Sequence, residues 1–476
     1  MRFDILSRLE LLSDQDWLWY FDSFQKANVS GQINDIKNYS ADLSWLTKRR
    51  IEQILSIKKD NNKRLKIVIA EAQPLEFLAT FLAGVIIEAD VFLCDPNWQQ
   101  QEWQQVANLV QPDLVFGKQT IKNLTPKLAI QNHNFTVRGL IMIPTGGTSG
   151  KIKFAIHSWS SLSASVKGFQ TYFGCQKINS FCTLPLYHVS GLMQFMRSLI
   201  TSGKIIICPY KILKDKQQIV NSQEYFISLV PTQLRLLIEL IPDRLKKFKT
   251  VLLGGAPATR SLLQQARRYQ IPLAPTYGMT ETASGIVTLK PEDFLHNNNS
   301  SGRVLPHARI TINPKINCQE NNQNIGLIQI KADSLCWGYY PHFFARHHLF
   351  TTDDLGYFDD RGYLYLIGRN SHKIITGGEN VYPTEIEEVI LATNLVKDVC
   401  IIGTSDRYWG QAVTAVYVPL ATQPDLELIK TAIASQLAKY KQPKYWISID
   451  RLPRNNRGKL NYQTIQEFLK NKLTNN

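Results

Sequence analysis

Short apolar runs alternate with amphipathic segments from Leu65 onward, and this alternation constrains the fold of the 476-residue chain more than any other feature. Strand-like IVIA (67–70), VFLCD (91–95) and LVFG (114–117) are separated by helix-like stretches. Strands separated by helices are typical of β-α-β units, in which a crossover helix joins two parallel strands. The same rhythm continues to about residue 253. We therefore predict an α/β fold built on mostly parallel sheets.

The pattern changes twice in the second half of the chain. Beyond Gly302 the strands shorten and alternate, which predicts a small β-rich subdomain. After residue 368 the pattern becomes mixed α and β. Because a chain of this length exceeds one compact core, we predict a large N-terminal domain over residues 1–368 and a small α+β C-terminal domain over residues 369–476. Residues 1 to about 60 are helical in pattern and carry no motif.

The composition limits the kinds of partner and the cellular compartment that we expect for this protein. The net charge of +15 favours anionic partners, but the basic residues are spread along the chain without interleaved aromatics, so no nucleic-acid surface is expected. The seven cysteines are irregularly spaced and form no CxxC pair, which is typical of reduced thiols and not of disulfides or a zinc site. Neither a signal peptide nor a membrane-spanning segment is apparent. We expect a cytoplasmic protein.

A glycine-rich loop, IPTGGTSGKIKF (143–154), has the composition of a phosphate-binding loop. It fits neither the Walker motif nor the dinucleotide fingerprint, because both require a glycine at position 145 and a helix after the loop. Strand-like sequence flanks it on both sides. Backbone N–H groups, the hydroxyls of Thr145, Thr148 and Ser149, and a lysine would then hold phosphate. An ordinary hairpin turn is the alternative interpretation.

Six further stretches, in a fixed order, carry a family resemblance. They are LPLYHVSGL (184–192), LLGGAP (252–257), PTYGMTETAS (275–284), FTTDDLGYFDDRGYLYLIGR (350–369), KIITGGENVYPTEIEEV (373–389) and PRNNRGKL (453–460). Together with the glycine loop they resemble the adenylate-forming superfamily, which comprises acyl-CoA and aryl-CoA ligases, nonribosomal peptide adenylation domains and luciferases. The resemblance extends from about residue 65 to the end of the chain.

The resemblance implies that the glycine loop binds the β- and γ-phosphates of ATP. In register, the family's lysine falls on Lys153 and not on Lys151, and Phe154 follows where the family usually has glycine. The residues expected to contact ATP or AMP are Thr145, Gly146, Gly147, Thr148, Ser149, Gly150, Lys153, Gly254, Gly255, Ala256, Pro257, Tyr277, Gly278, Asp354 and Arg369.

Individual roles follow from the same resemblance. Glu281 would hold Mg²⁺, and Thr280 would donate to a phosphate or acyl oxygen. The ring of Tyr277 would stack on adenine, while Asp354 and Arg369 would contact the ribose hydroxyls. Taken alone, the Thr-Glu pair would be read as a helix N-cap. The chain departs from the family pattern at position 353, where aspartate replaces the usual glycine.

The C-terminal domain would supply the remaining machinery and would be mobile, because the superfamily rotates this domain between two half-reactions. Lys459 is the expected catalytic lysine, and Ser371 falls at the hinge, where relatives usually have aspartate or lysine. Gly377 and Gly378 would line the tunnel for the CoA thiol. Trp409 would pack near the CoA nucleotide; the alternative is a core tryptophan.

A narrower resemblance concerns the acid. Four stretches resemble o-succinylbenzoate–CoA ligases of menaquinone and phylloquinone biosynthesis: LPLYHVSGL followed by Arg197, LVPTQLRLLI (229–238), LLGGAPATRSLLQQARRYQIPL (252–273) and YGMTETASGIVTLKPED (277–293). This implies an acyl pocket with His188 as a catalytic wall residue and Ser190 beside it. Arg197 would bind the carboxylate that is not activated. The alternatives are a structural histidine and an exposed helix arginine.

The expected reaction is therefore two-step acid–CoA ligation with ATP, Mg²⁺ and coenzyme A. A carboxylate attacks the α-phosphate to give acyl-AMP and pyrophosphate, and CoA then displaces AMP. The partners are small molecules, with a homodimer as a further expectation. The alternatives are another aryl- or fatty acyl-CoA ligase, a stand-alone adenylation enzyme loading a carrier protein, and a non-enzymatic protein that binds nucleic acid.

Overall fold

The fold was analysed in a computed structural model that describes residues 2–21, 36–58, 64–117, 138–146, 151–210, 213, 222–314, 324–345, 349–420, 425–454 and 460–473. Within these ranges the chain forms four β-sheets with helices packed on them. The helices are α1 (Arg2–Ser13), α2 (Ser40–Ile57), α3 (Pro74–Ile86), α4 (Gln100–Val110), α5 (Trp159–Phe173), α6 (Val189–Thr201), α7 (Pro231–Leu240), α8 (Pro242–Leu245), α9 (Arg260–Arg268), α10 (Pro291–Leu295), α11 (Pro383–Ala392), α12 (Leu426–Ala434) and α13 (Tyr462–Leu473).

The largest sheet has nine strands in the order β14-β13-β12-β11-β10-β8-β9-β1-β2. Its central strands are parallel, and antiparallel pairs close both edges. Its strands are β1 (Leu18–Phe21), β2 (Ile36–Asn38), β8 (Asn179–Cys182), β9 (Ile205–Ile207), β10 (Tyr225–Leu229), β11 (Thr250–Leu253), β12 (Leu273–Met279), β13 (Ser284–Thr288) and β14 (Arg303–Val304).

A second large sheet has seven strands in the order β18-β17-β7-β6-β4-β3-β5, of which β6, β4, β3 and β5 are parallel. Its strands are β3 (Lys66–Ala70), β4 (Asp90–Leu93), β5 (Leu114–Gly117), β6 (Ile141–Gly146), β7 (Ile152–His157), β17 (Gly338–Tyr339) and β18 (His342–Phe343). The β-α-β rhythm predicted from the sequence is confirmed, although it is divided between two sheets.

Two smaller sheets follow in sequence. The β-rich subdomain is antiparallel, in the order β15-β16-β19-β20, with strands β15 (Ala308–Pro314), β16 (Gly326–Ala332), β19 (Phe350–Phe358) and β20 (Leu364–Arg369). The C-terminal sheet contains β21 (Ile374–Thr376), β22 (Glu379–Val381), β23 (Val396–Asp406), β24 (Gly410–Pro419) and β25 (Tyr445–Ser448). Both subdomains agree with the predicted α/β plus α+β architecture.

Helices α3 and α6 lie between the two large sheets, because apolar side chains from both helices and both sheets form one continuous buried cluster. Helix α3 is apolar on nearly all sides, as expected of a helix with protein on every face. Every cysteine in the described ranges is buried and free, in agreement with the expected reduced thiols. Burial raises the pKa of the Cys182 thiol to about 12.

Two expectations about strands were wrong in detail. Residues 1–60 are not purely helical, because Leu18–Phe21 forms β1 and pairs with β9 in the largest sheet. The apolar run SFCTLPL (180–186) predicts a strand over its whole length, but strand β8 ends at Cys182. Pro185 has no backbone N–H to contribute to a ladder, which is consistent with the early end of the strand.

Candidate active site

The glycine-rich loop connects β6 and β7, which form an antiparallel hairpin. Thr145 pairs with Lys153, and Gly146 pairs with Ile152, so the strand–loop–strand arrangement predicted from the sequence is confirmed. Four of the predicted phosphate contacts, Gly147, Thr148, Ser149 and Gly150, lie outside the described residues. The ammonium of Lys153 lies 5.5 Å from the centre of the Tyr339 ring. This places the lysine on the same side of the hairpin as the end of β17.

Glu281 lies directly against this hairpin. It sits in a short 3-10 turn (Thr280–Thr282) after β12, and its Oε1 accepts hydrogen bonds from the Tyr339 hydroxyl at 2.7 Å and the Thr145 hydroxyl at 3.4 Å. The residue is only 8% exposed. Among the described residues, no lysine or arginine forms an ion pair with this carboxylate. A buried carboxylate that lacks a cationic partner, next to a phosphate-type loop, fits a Mg²⁺ ligand.

A buried histidine that sequence reasoning missed supports the same turn. His157, at the end of β7, donates from Nε2 to the carbonyl oxygen of Thr280 at 2.8 Å, and its Nδ1 faces the Ser161 hydroxyl at 3.1 Å. Burial lowers the pKa of His157 to about 4, so the ring is neutral at physiological pH. The β6–β7 hairpin is therefore tied to the Thr280–Thr282 turn at two points.

The predicted ribose site forms a connected group. Asp354 on β19 faces Arg369 on β20, with 3.3 Å between Asp354 Oδ1 and Arg369 Nε. The hydroxyl of Tyr277 donates to Asp354 Oδ2 at 2.8 Å. Burial, followed by the charge of Asp354, raises the pKa of Tyr277 well above its ordinary value, so the phenol remains a donor. Because Tyr277 and Glu281 are four residues apart in the chain, the ribose group and the phosphate group are neighbours.

Two glycines are required where the predicted nucleotide loop meets β12. A Cβ on Gly278 would lie 2.1 Å from the carbonyl oxygen of Ser284, and a Cβ on Gly254 would lie 2.6 Å from the Thr276 hydroxyl. Gly255 has a φ of +83°. The adjoining Ala256 and Pro257 are exposed. Gly254 thus packs closely against the strand that carries Tyr277.

Helix α6 carries the predicted acyl-pocket residues. His188 is its N-cap residue, and its ring contacts Tyr187 with 4.5 Å between centroids. The carbonyl oxygen of Ser190 accepts a hydrogen bond from Gln194 at 2.9 Å. Arg197 follows further along the helix and is 4% exposed, so the alternative of an exposed helix arginine is wrong.

The guanidinium of Arg197 is buried, and no carboxylate of the described residues pairs with it. Its Nη2 donates to the Ser284 hydroxyl at 3.3 Å, and its Cζ lies 4.0 Å from the centre of the Phe169 ring. Its Nε has no hydrogen-bond partner in the described part of the chain. Burial lowers the pKa of Arg197 to about 10, which leaves it protonated at neutral pH. A buried cation of this kind fits an anionic ligand group better than a purely structural role.

Two departures from the family pattern contact each other at the predicted hinge. Ser371 lies in a 3-10 turn (Asn370–His372) and donates its backbone N–H to Asp353 Oδ1 at 3.1 Å, while its hydroxyl bonds to Asp353 Oδ2. The carboxylate of Asp353 therefore holds the turn at the predicted domain boundary. A second contact across this predicted boundary joins Arg260 on α9 to Glu388 on α11 at 3.1 Å.

We expect Asp353→Gly to loosen this turn. The substitution removes both acceptors of Ser371, and trypsin cleavage after Arg369 or Lys373 should become about fivefold faster as local opening becomes more frequent. Limited proteolysis followed by mass spectrometry measures this rate. Asp360→Gly removes an exposed carboxylate from a nearby turn and is the matched control. Equal cleavage of both variants and the parent would show that Asp353 does not hold the hinge.

The predicted CoA residues lie together on the C-terminal domain. Gly377 and Gly378 have φ values of +58° and +88°, and the Gly377 N–H donates to the carbonyl oxygen of Trp409 at 2.9 Å. Trp409 is 47% exposed, so it is not a core tryptophan. The ammonium of Lys444 lies 3.1 Å from the centre of its ring, a contact not expected from the sequence. An exposed aromatic beside a cation suits a nucleotide carrying phosphates.

The predicted catalytic lysine, Lys459, lies outside the described residues. The flanking residues Arg454 and Leu460 form a β-bridge. Arg454 Nη2 also donates to both oxygens of Asp398, at 2.7 and 2.9 Å. In the described ranges, no helix has the length and apolar character needed to cross a bilayer.

Sequence models of two known domains match this chain. A model of the AMP-binding enzyme family matches residues 138–340, and a model of the AMP-binding enzyme C-terminal domain matches residues 385–459. The first match contains the hairpin, Glu281 and Arg197. The second contains β24 and ends at Lys459.

Curated relatives share substantial identity. The 2-succinylbenzoate–CoA ligase of Oceanobacillus iheyensis is 35% identical over 334 residues, covering 67% of this chain and 68% of the relative. The enzyme of the same name from Bacillus cytotoxicus is 30% identical and covers 88% of this chain and 90% of the relative.

Solved structures show the same architecture. The o-succinylbenzoate-CoA synthetase from Bacillus subtilis, in complex with the acyl-adenylate intermediate OSB-AMP, aligns with a TM-score of 0.79 at 25% identity over 97% of both chains. ATP-bound MatB from Rhodopseudomonas palustris aligns with a TM-score of 0.79 at 23% identity over 99% of both chains, which concerns the fold alone.

The two large sheets, the hairpin against Glu281 and the paired Asp354 and Arg369 define an enzyme of the adenylate-forming class. Within that class, the curated relatives described above are CoA ligases. The chain belongs to the AMP-binding enzyme family.

Proposed function

We propose that this enzyme is a 2-succinylbenzoate–CoA ligase of quinone biosynthesis, which joins the acid to coenzyme A through an acyl-adenylate. The observation that carries the choice of acid is the buried guanidinium of Arg197 next to Ser284, which no carboxylate in the described part of the chain neutralises. A monocarboxylic acid would leave this cation unpaired, whereas the second carboxylate of 2-succinylbenzoate would pair with it. The curated relatives carry the same name.

The first half-reaction would take place at the hairpin. The hydroxyl of Thr145 and backbone N–H groups of the loop would hold the terminal phosphates of ATP, and Asp354 with Arg369 would hold the ribose. Glu281 would hold Mg²⁺, which supplies charge neutralisation on the phosphate oxygens. Lys459 would stabilise the charge that develops between the incoming carboxylate and the α-phosphate.

The second half-reaction would use the C-terminal domain in a rotated position about Ser371. Gly377 and Gly378, which carry no side chain, would let the pantetheine chain approach closely, and Trp409 with Lys444 would face the CoA nucleotide. CoA supplies its own sulfur, so no cysteine of the chain takes part. The domain boundary at 368/369, the cytoplasmic location and the homodimer remain predictions from the sequence.

An ATP–pyrophosphate exchange screen tests the acid. Purified protein with Mg²⁺, ATP and labelled pyrophosphate should exchange label with 2-succinylbenzoate and much less with benzoate or a long-chain fatty acid. Preference for the fatty acid or for benzoate would overturn the assignment of the acid and leave the family unchanged. Transfer to an acidic carrier protein but not to CoA would indicate a stand-alone adenylation enzyme.

Arg197→Leu should remove the preference for the dicarboxylic acid. Truncating one partner of a buried charge pair costs about 2–5 kcal/mol, so catalytic efficiency with 2-succinylbenzoate should fall at least about 30-fold. Steady-state kinetics should compare this acid with 4-oxo-4-phenylbutanoate and 2-butanoylbenzoate, each of which lacks one carboxylate. The monoacid that keeps the activated carboxylate should be almost unaffected.

The same variant has an internal control for folding. Replacing an unpaired buried cation with leucine should not lower the melting temperature, because the protein no longer buries a charge. Arg197→Lys keeps the charge without the planar fork and should be intermediate. An equal loss with all three acids would remove Arg197 from the acid pocket.

A further inference from the structure

We propose that His307 is a second specificity-determining residue of the acid pocket, binding with Arg197 the carboxylate that is not activated. This inference rests on the proposed function and adds a residue to it. It is carried by the position of His307, by the glycine that accommodates its ring, and by buried polar atoms without partners.

The ring of His307 occupies a place that only glycine leaves open. His307 precedes β15, and its ring lies against Gly168 of helix α5, where a Cβ would be 1.7 Å from Nδ1 and 2.5 Å from Cγ. Any other residue at position 168 would displace the ring. Because glycine weakens a helix interior, its presence in the middle of α5 is explained by the close approach of this imidazole.

The same stretch of α5 connects His307 to Arg197. Phe169 follows Gly168, and the guanidinium of Arg197 lies over its ring at 4.0 Å. Burial is the main cause that lowers the pKa of His307 to about 4; the charge of Arg197 acts in the same direction and that of Asp333 opposes it. The imidazole is therefore neutral, and the positive charge of Arg197 acts on it electrostatically.

Three buried nitrogens at this point have no hydrogen-bond partner in the described ranges: Nδ1 and Nε2 of His307 and Nε of Arg197. Buried polar atoms in folded proteins are almost always paired with protein, water or ligand, so these three nitrogens are available to a ligand that enters the pocket. A neutral imidazole supplies one N–H donor, and the guanidinium supplies the charge and further donors. A carboxylate, with two acceptor oxygens, matches this set.

These donors would determine how strongly the pocket prefers a dicarboxylic acid over a monocarboxylic acid. An acid without the second carboxylate would enter the pocket and leave these donors unpaired, so the site would reject it more strongly than a merely apolar pocket could. His307 would act on the free carboxylate and not on the reacting one. Its removal should therefore weaken binding of the dicarboxylic acid and spare the turnover of a monoacid.

His307→Leu tests this by steady-state kinetics. The KM for 2-succinylbenzoate should rise about 10- to 50-fold with little change in kcat, while the KM for whichever of 4-oxo-4-phenylbutanoate and 2-butanoylbenzoate is a substrate should change less than about twofold. His296→Leu replaces an exposed histidine on the same domain and is the matched control. A proportional rise for both acids, or none for either, would overturn the inference.

A measurement on the unmodified protein covers the case in which the variant fails to fold. The ring signals of His307, followed by NMR with ¹⁵N-labelled histidine and assigned by comparison with Gly168→Ala, should shift when 2-succinylbenzoate binds and stay in place with the monoacids. An unmoved His307 signal at saturating diacid would exclude the contact. If the unmodified enzyme does not activate 2-succinylbenzoate, the proposed function itself fails, and that outcome is distinct.

Discussion

Replacing Lys459 by alanine should abolish acyl-adenylate formation while leaving thioester formation from supplied acyl-adenylate nearly intact. The first step brings a carboxylate and the triphosphate together, and a positioned ammonium stabilises the charge that develops between them. Loss of one such group costs about 10²- to 10³-fold in rate. In the second step the sulfur of CoA attacks the acyl carbonyl, the thiol gives up its proton and AMP leaves. No triphosphate has to be brought to a carboxylate in this step, so we expect it to proceed without the lysine.

The two half-reactions should be measured separately on the same preparation. ATP–pyrophosphate exchange reports the first, and release of AMP from synthetic acyl-adenylate with CoA reports the second. Lys439→Ala, which removes an exposed lysine from the same domain, is the matched control and should behave like the parent. If Lys459→Ala loses both half-reactions equally, the lysine is not specific to adenylation.

Glu281→Gln should slow adenylation by a similar factor, about 10²- to 10³-fold. The substitution keeps the size of the side chain and an oxygen that can accept the hydrogen bond from the Tyr339 hydroxyl, which lies 2.7 Å from Glu281 Oε1. It removes the negative charge that binds Mg²⁺. Because the substitution weakens Mg²⁺ binding, the Mg²⁺ concentration that gives half-maximal ATP–pyrophosphate exchange should rise.

A Mg²⁺ titration of ATP–pyrophosphate exchange checks this prediction. Glu292→Gln, which neutralises an exposed glutamate on α10, is the matched control and should leave the titration unchanged. Unaltered Mg²⁺ dependence in Glu281→Gln, with normal exchange, would show that the buried carboxylate has a structural role only.

Much of the fold was predictable because strands and helices alternate with clear apolar patterns. Strands β3, β4 and β5 fall within a residue or two of the apolar runs that predicted them. Strand β1 was missed because Leu18–Phe21 is a short aromatic run with no periodic neighbours, and its partner β9 lies almost two hundred residues away in sequence. Pairing at that distance leaves no local signal.

Some residues of the candidate site could be predicted from the sequence, whereas others could not. Glu281, Asp354 and Arg369 were identifiable because each stands in a motif. The side chains that position them were not: Tyr339, which donates to Glu281, and His157, which holds the Thr280 carbonyl, come from other parts of the chain. Their roles depend on the fold bringing distant strands together.

The residues that depart from the family pattern show most clearly which contacts cannot be predicted from the sequence. Asp353 and Ser371 were each visible in the sequence as an unusual residue, but their hydrogen bond appears only in the structure. The burial of Arg197 is a similar case, since a helix pattern does not reveal that Phe169 and Ser284 enclose its guanidinium. His307 gave no signal at all, because its partner Gly168 reads as an ordinary helix glycine.

Product stoichiometry tests the central claim, that one cleft activates 2-succinylbenzoate with ATP and then transfers it to CoA, more directly than any variant. The purified protein should be incubated with 2-succinylbenzoate, Mg²⁺, ATP and CoA, quenched, and analysed by chromatography and mass spectrometry. We predict equal amounts of AMP, pyrophosphate and the acyl-CoA thioester. Formation of ADP in place of AMP, or AMP without any thioester, would contradict the account.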